Sequence, residues 1–148
     1  MKKILIINGP NLNLLGNREK QFYGDTTLEK IKILCDQHCK KNDIEAIFFQ
    51  SNHEGELIEK IHSVESNFDG IIINPAAFTH TSIALLDALR ATLKPKIEIH
   101  ISNIYSREDY RRKSITSEAV NGVICGFGEN GYILAIDAIK NLIYSETE

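Results

Sequence analysis

An arginine and a tyrosine lie five positions apart in a long polar stretch near the start of the chain. Arg18 and Tyr23 both fall within residues 16–25, which follow a short apolar run. A guanidinium close to a phenol favours the ionised phenol, and a phenolate can act as a general base. A connecting stretch of this length can also close over a ligand as a lid. The pair therefore predicts proton abstraction by Tyr23, supported by the charge of Arg18.

A histidine with an acidic neighbour lies at the end of a later apolar run. Glu98, His100 and Ser102 alternate along residues 96–102, so in a strand their side chains leave the same face. The carboxylate can orient the histidine ring or can simply belong to a salt-bridge network. A place at a strand end, where α/β sheets carry their clefts, favours a functional histidine.

Two arginines follow this histidine at helical spacing. Arg107 and Arg111 belong to a polar, basic stretch that also holds Arg112 and Lys113. The default interpretation of such a stretch is a solvated basic surface. Since residues four apart share one side of a helix, the second interpretation is that one of the two arginines binds an anionic substrate.

The elements that must position these residues alternate between strands and helices. Apolar runs predict five strands at residues 4–8, 44–50, 68–74, 96–102 and 123–127, and helical periodicity marks the segments near 28–39, 57–64, 83–93 and 132–144. We place the starts of the first two helices by capping boxes at Thr26 and Ser51. Right-handed crossovers then give a flavodoxin-like, doubly wound parallel sheet of order 2-1-3-4-5. Residues 1–148 are predicted to form one α/β domain, with a lid loop at about residues 16–25.

A single cleft follows from this strand order. Ligands of doubly wound sheets bind at the carboxyl ends of the strands, near the point where the order reverses. Strands one, three and four are predicted neighbours there, and each ends in a polar segment, at residues 8–13, 74–82 and 100–103. We expect these segments to converge.

Composition excludes several other classes of function. The 148 residues carry a net charge of −3, three cysteines and no apolar run long enough for a bilayer, so we expect a soluble cytoplasmic protein without nucleic-acid or membrane partners. Cys35, His38 and Cys39 share a helical turn, but core packing is the better interpretation of the two cysteines. No cluster of carboxylates marks a metal site, so we expect a cleft that works without a cofactor.

A glycine-rich segment near the carboxyl end imitates a dinucleotide-binding motif. Residues 126–131 match G-x-G-x-x-G, yet too few residues follow them for the rest of that unit. A tight turn between a strand and a helix explains the glycines.

Four ordered motifs resemble those of one family, the type II 3-dehydroquinate dehydratases. They are residues 8–16 (NGPNLNLLG), Arg18-Glu19 through Tyr23-Gly24, residues 74–82 (NPAAFTHTS), and residues 98–103 (EIHISN) with Arg107 and Arg111. The resemblance covers nearly the whole chain. It implies a flavodoxin-like fold and dehydration of 3-dehydroquinate to 3-dehydroshikimate by anti elimination through an enolate, without a metal or a Schiff base. It also implies a homododecamer built from trimers.

The resemblance also implies roles for individual residues. Tyr23 removes the C2 proton, Arg18 holds Tyr23 ionised, and His100 protonates the departing C1 hydroxyl. Asn11 helps to bind a water at the enolate oxygen, and Glu98 orients His100. The residues implied to bind the substrate are Asn74, His80, Ile101, Ser102, Arg111 and, from a neighbouring subunit, Asp87.

One position departs from the pattern of that family. Lys20 stands where the family usually has proline, which would stiffen the lid, so the departure concerns lid order and closure. The rival hypothesis is a catalytically idle flavodoxin-like protein whose cleft captures a small polyol acid or a flavin phosphate.

Overall fold

The computed structural model describes residues 1–17 and 19–145 and contains one parallel five-stranded sheet. The strands are β1 (Lys2–Asn8), β2 (Ile44–Gln50), β3 (Gly70–Asn74), β4 (Lys96–His100) and β5 (Gly122–Cys125). Their order in the sheet is β2-β1-β3-β4-β5. The predicted flavodoxin-like fold is confirmed, although β3 begins two residues later and β4 ends two residues earlier than the sequence predicts.

Helices cover both faces of the sheet. They are α1 (Lys20–Tyr23), α2 (Leu28–Lys41), α3 (Glu54–His62), α4 (Val64–Asn67), α5 (Ile83–Arg90) and α6 (Asn130–Ser145). Side chains of β1 alternate between two apolar layers: Ile4 and Ile6 join the layer with α2 and α6, and Leu5 and Ile7 join the layer with α3 and α5. All four are fully buried, which contributes about 1.5–3 kcal/mol for each side chain.

Two helix starts differ from the predicted capping boxes. Thr27, not Thr26, caps α2, because the Thr27 hydroxyl accepts an amide hydrogen of the first turn. The Thr26 hydroxyl donates instead to Glu129 at 2.5 Å. His53 precedes α3, and the Ser51 hydroxyl accepts the His53 amide hydrogen at 2.9 Å. At α2, two adjacent threonines carry the same local signal, and the contact of Thr26 with the distant Glu129 leaves Thr27 to cap the helix.

Helix α5 is shorter than its periodicity predicts. It ends at Arg90, and Leu93 beyond it is 85% exposed instead of buried. The hydroxyl of Thr92 and the amide of Leu93 both donate to the Glu65 carboxylate, at 2.5 Å and 3.0 Å. These bonds give partners to the polar groups of residues 92 and 93 just after the helix end, where the chain turns toward β4.

The carboxyl ends of β1 and β3 lie side by side. Asn8 pairs with Asn74 in the register of the two strands, and the Gly9 amide donates to the Asn74 carbonyl oxygen at 2.8 Å. A Cβ atom on Gly9 would lie 2.5 Å from the Pro75 carbonyl oxygen, so this approach of the two chains requires glycine.

A segment of short turns connects β4 to β5. It contains the 3-10 helices Ile104–Ser106, Asp109–Arg111 and Thr116–Ala119. It runs over the carboxyl ends of the strands and brings the side chains of Ser114 and Thr116 back to Glu98 of β4.

Two interpretations of minor motifs are confirmed. The segment at 126–131 is the turn between β5 and α6, with positive φ angles of 96° at Gly126 and 61° at Gly128. Cys35 and Cys39 pack in the core beside α6, where burial above all raises the pKa of each thiol to about 12.

Residues 1–17 and 19–145 hold neither a cluster of metal ligands nor a membrane-spanning helix. Among these residues, no group of three His, Cys, Asp or Glu side chains could hold a metal ion. Within the same part of the chain, no helix combines the length and apolar character needed to cross a bilayer.

Candidate active site

A cleft opens at the carboxyl ends of β1, β3 and β4, as the strand order predicts. Its empty volume, including the open mouth, is about 640 Å³. Eight of the predicted site residues line it: Asn11, Tyr23, Asn74, His80, His100, Ile101, Ser102 and Arg111. Among the described residues, the cleft also takes in one arginine that the roles above leave out, Arg107.

Two predicted site residues stand apart from this lining, and a third is not described. Glu98 lies behind His100 and is fully buried. Asp87 is exposed on α5 and does not line the cleft of its own chain. Arg18 lies outside the described residues.

Tyr23 lies at the end of α1, near the end of the predicted lid loop. Residues 20–23 form a single helical turn there, and Lys20 occupies its first position, where proline would also fit. Residue 19 precedes the turn with a positive φ of 33°, and Gly24 follows with a φ of 67°. The turn directs the half-buried Tyr23 ring against the apolar layer and its edge into the cleft.

The Tyr23 hydroxyl has an arginine beside it. Arg107 Nη1 donates to Tyr23 Oη at 2.8 Å, and the Arg107 side chain is only 3% exposed. The guanidinium also lies 4.1 Å from the Phe22 ring centroid, and its Nη2 donates to Glu19 at 3.3 Å. A charged donor at this distance stabilises the ionised phenol more than the neutral one.

Sequence reasoning did not assign this contact to Arg107. The one available signal was its spacing of four from Arg111, which does not distinguish a cleft residue from surface. The contact joins residues 84 positions apart through a segment without regular periodicity, so only the folded chain shows it.

Arg107 and Arg111 share an acidic partner at the rim of the cleft. The Glu108 carboxylate lies 2.8 Å from Arg111 Nε and 3.9 Å from Arg107 Nε. The hydrogen bond of its own backbone amide, with the charges of the two arginines, lowers the Glu108 pKa despite an opposing effect of burial. Within the described residues, both Nε atoms are buried and lack an aligned hydrogen bond. Two guanidiniums that line the cleft give it positive charge, which suits an anionic ligand.

His100 is bonded to a buried carboxylate. His100 Nε2 lies 2.7 Å from Glu98 Oε2. Burial raises the Glu98 pKa, but the hydrogen bond and charge of His100, with donors from Thr116 and Thr79, lower it by more, so the net pKa lies below its usual value. An ionised carboxylate only accepts, so Nε2 carries the hydrogen and Nδ1 is the ring nitrogen available to a ligand.

Three hydroxyl groups surround the Glu98 carboxylate. Thr116 donates to Oε1 at 2.5 Å, and Thr79 and Ser114 each donate to Oε2 at 2.9 Å. The three residues come from the segments after β3 and β4. Sequence reasoning missed this role, because serine and threonine in turns carry no signal of which carboxylate they meet. The hydroxyls allow a charged group to stay buried behind His100.

His80 approaches the cleft from the segment after β3. Its Nδ1 lies 2.7 Å from the Lys113 carbonyl oxygen, which can only accept. Burial lowers the His80 pKa, and the charges of His100 and Arg111 add to this effect, while the bond to Lys113 opposes it. A neutral His80 then presents Nε2 as an acceptor for a ligand hydroxyl.

Comparisons with known proteins agree with this geometry. A model of the family described as "Dehydroquinase class II" matches residues 2–140. A 3-dehydroquinate dehydratase of Clostridium botulinum strain Hall is 54% identical over 146 residues, which cover 99% of each chain. Its counterpart in Thermoanaerobacter pseudethanolicus is 55% identical over 142 residues, 96% of each. The crystal structure of a type II dehydroquinase from Butyrivibrio crossotus superposes with a TM-score of 0.92 and 49% identity, covering 93% of this chain and 97% of that one.

Proposed function

Because the chain belongs to the class II dehydroquinase family, we propose that it dehydrates 3-dehydroquinate to 3-dehydroshikimate in the shikimate pathway to aromatic amino acids. The observation that carries the proposal is a tyrosine–arginine pair and a histidine–glutamate pair facing one cleft. Such an elimination needs a base for a carbon acid, charge stabilisation for the enolate and an acid for a poor leaving group.

Tyr23 is the proposed base. As a phenolate it takes the proton from C2, next to the ketone, and the electron pair of the C–H bond moves onto the ketone oxygen as an enolate. Arg107 supports this role, because its buried guanidinium bonds the Tyr23 oxygen at 2.8 Å. A second supporting charge from Arg18 stays a prediction.

His100 is the proposed acid for the second half of the reaction. The enolate collapses, the bond between C1 and its hydroxyl breaks, and His100 Nδ1 supplies the proton that lets the hydroxyl leave as water. The ionised Glu98 stabilises the imidazolium before this transfer. Tyr23 has then gained one proton and His100 has lost one, so solvent restores both. Asn11, at the mouth of the cleft, is proposed to hold a water at the enolate oxygen.

The remaining lining residues are proposed to hold the substrate. Arg111 and His80 offer the cleft a charged donor and a neutral acceptor, which suit the oxygen atoms and hydroxyl groups of a polyol acid. Asn74, Ile101 and Ser102 lie between them at the strand ends. The scheme uses neither a metal nor a Schiff base.

An assay under chelation tests the activity. The pure protein is mixed with 3-dehydroquinate in the presence of a chelator, and the conjugated enone of the product is followed by its ultraviolet absorbance. We expect turnover, and we expect borohydride with substrate to leave the enzyme active. No absorbance change at high enzyme concentration would refute the lyase, and trapping of substrate on a lysine would replace the enolate route by imine chemistry. Substrate binding without turnover would favour the idle binding protein.

Assembly and location belong to the same proposal. We propose a homododecamer, a tetramer of trimers, in which Asp87 on α5 reaches the cleft of a neighbouring subunit. The exposed position of Asp87, outside its own cleft, supports this arrangement. We also propose that the enzyme acts in the cytoplasm on its small-molecule substrate, without nucleic-acid or membrane partners, which agrees with its net charge of −3 and its unpaired cysteines.

A further inference from the structure

A buried tyrosine of α6 lies directly beneath the cleft. Tyr132 is fully buried in the first turn of α6. Its hydroxyl donates to Asn8 Oδ1 at 2.5 Å and accepts from Asn74 Nδ2 at 3.0 Å. The phenol thus bridges the ends of two neighbouring strands, and one of its partners, Asn74, lines the cleft.

The direction of these hydrogen bonds is fixed. A phenol has one hydrogen, and the bond to Asn8 uses it, so Asn74 must offer its amino group to the Tyr132 oxygen. Burial above all raises the pKa of Tyr132 well above its usual value, so the phenol keeps its hydrogen throughout the range in which proteins are stable.

The other end of the Asn74 amide is fixed as well. Its Oδ1 accepts the Ala76 amide hydrogen at 3.1 Å. A rotation by 180° would place Nδ2 against a backbone N–H group and Oδ1 against a phenol whose hydrogen is already used. One orientation is therefore selected, and one hydrogen of Nδ2 is left for a ligand in the cleft.

We propose that Tyr132 is a positioning residue, which holds the Asn74 amide so that it presents an N–H donor to the substrate carboxylate. The inference rests on the proposed function for the identity of the ligand. A carboxylate oxygen only accepts hydrogen bonds. It can therefore bond an amide that presents its N–H group, but not an amide that presents its oxygen. Holding the amide before binding removes the cost of ordering it in the complex.

The variant Tyr132→Phe tests this role by removing one oxygen atom. We expect KM for 3-dehydroquinate to rise about tenfold, the size of one charge-assisted hydrogen bond, while kcat changes less than about threefold. In the background Asn74→Ala, the same substitution should change KM no further. The control is Ile136→Val, one turn along α6 and fully buried, which should lower Tm without changing KM.

A second variant approaches the bridge from its other end. Asn8 is buried and does not line the cleft, and Asn8→Ala frees the phenol hydrogen to turn toward Asn74. KM should rise in this variant too. If Tyr132→Phe and Asn8→Ala lower Tm but leave KM unchanged, or if the effects of Tyr132→Phe and Asn74→Ala on KM are additive, Tyr132 is not a positioning residue.

A spectroscopic measurement separates this inference from the proposed function. In the wild type, the side-chain amide hydrogens of Asn74 should exchange slowly with solvent and give two well separated NMR signals, and Tyr132→Phe should speed the exchange. Unchanged exchange overturns the positioning role, whatever the activity. A wild-type protein without dehydratase activity would refute the proposed function and leave this measurement valid.

Discussion

Tyr23 and His100 each contact a charged side chain that is more buried than the reactive group itself. Arg107 bonds the Tyr23 oxygen, and Glu98 bonds the His100 ring. Glu98 lies in β4 and Arg107 in the segment that follows it, so the base and the acid are supported by one stretch of chain. Because each partner is shielded from water, its charge acts more strongly on the group it contacts than a surface charge would.

Removal of one oxygen from Tyr23 tests the base. We expect Tyr23→Phe to lower kcat by about 10²–10⁴-fold, the range of general base catalysis, with little change in substrate affinity. Steady-state kinetics and calorimetric binding measure the two effects. Near-normal turnover in this variant would remove Tyr23 from the mechanism.

Replacement of Arg107 tests the charge beside the base. Arg107→Gln should lower kcat by about 10²-fold, since it removes a charged donor from the group that must carry the negative charge. The matched control is Arg112→Gln, because Arg112 is exposed and pairs with Asp109 at 2.8 Å on the outer surface. Equal kinetics in the two variants would show that Arg107 serves structure alone.

The elements show which parts of this site the sequence can predict. Buried β-branched runs, turn residues and the handedness of crossovers specify the strand order, and the strand order specifies where the polar ends meet. The residue at which an element begins is harder to predict. Thr26 and Thr27 carry the same capping signal, and only the hydrogen bond of Thr26 to the distant Glu129 distinguishes them. Leu93 fits the helical period but lies beyond the end of α5.

The segment between β4 and β5 was the least predictable part of the site. Its 3-10 helices have no long apolar period, so nothing in the sequence indicates that Arg107 meets Tyr23 or that Thr116 meets Glu98. Such contacts depend on the path that the connecting segment takes. The end of the sheet determines that path only once the chain has folded. Arg107 and the hydroxyls around Glu98 are therefore seen only in the structure, whereas Glu98 itself follows from the alternation along β4.

The hydroxyl of Thr116 in this segment can be compared with the hydroxyl of Thr92, which also donates to a glutamate but lies far from the cleft. Thr116→Val should destabilise the protein by about 1–3 kcal/mol and lower kcat, because Glu98 loses a donor that helps it to hold the charge of His100. Thr92 makes a bond of the same length, 2.5 Å, to Glu65 far from the cleft. Thr92→Val should lower the free energy of unfolding without changing kcat, and urea unfolding with steady-state kinetics measures both. If the two variants lose kcat equally, the hydroxyl beside Glu98 has no part in catalysis.

The ionisation of Glu98 makes the stability of the folded protein depend on pH. Its pKa is lowered in the folded protein from an ordinary value of about 4.5. The ionised form therefore stabilises the fold above about pH 4.5, and this stabilisation is lost as the pH falls through the lower folded pKa. We expect Glu98→Gln to lower Tm at neutral pH, and the difference from wild type to shrink below pH 4.5. A difference in Tm that stays constant down to pH 3 would show that Glu98 is not ionised in the fold.

Asp87 raises the question of whether one chain makes a complete site. It is exposed on α5, beside Ile83, which is 62% exposed, and both lie outside the cleft of their own chain. An exposed apolar residue next to an isolated carboxylate suits an interface between copies. If Asp87 serves a neighbouring cleft, Asp87→Ala should lower the activity of the assembly although nothing in its own cleft changes.

Mixed assemblies can show which subunit Asp87 serves. Homo-oligomers of Asp87→Ala and of Tyr23→Phe should both be poorly active. In oligomers formed from equal amounts of the two variants, a site composed of Tyr23 from one subunit and Asp87 from the next is intact in roughly one quarter of random pairings. Activity should therefore recover toward a quarter of the wild-type value, with native mass spectrometry to confirm that subunits have mixed. If Asp87 acts only within its own chain, every mixed site carries one defect and no activity returns.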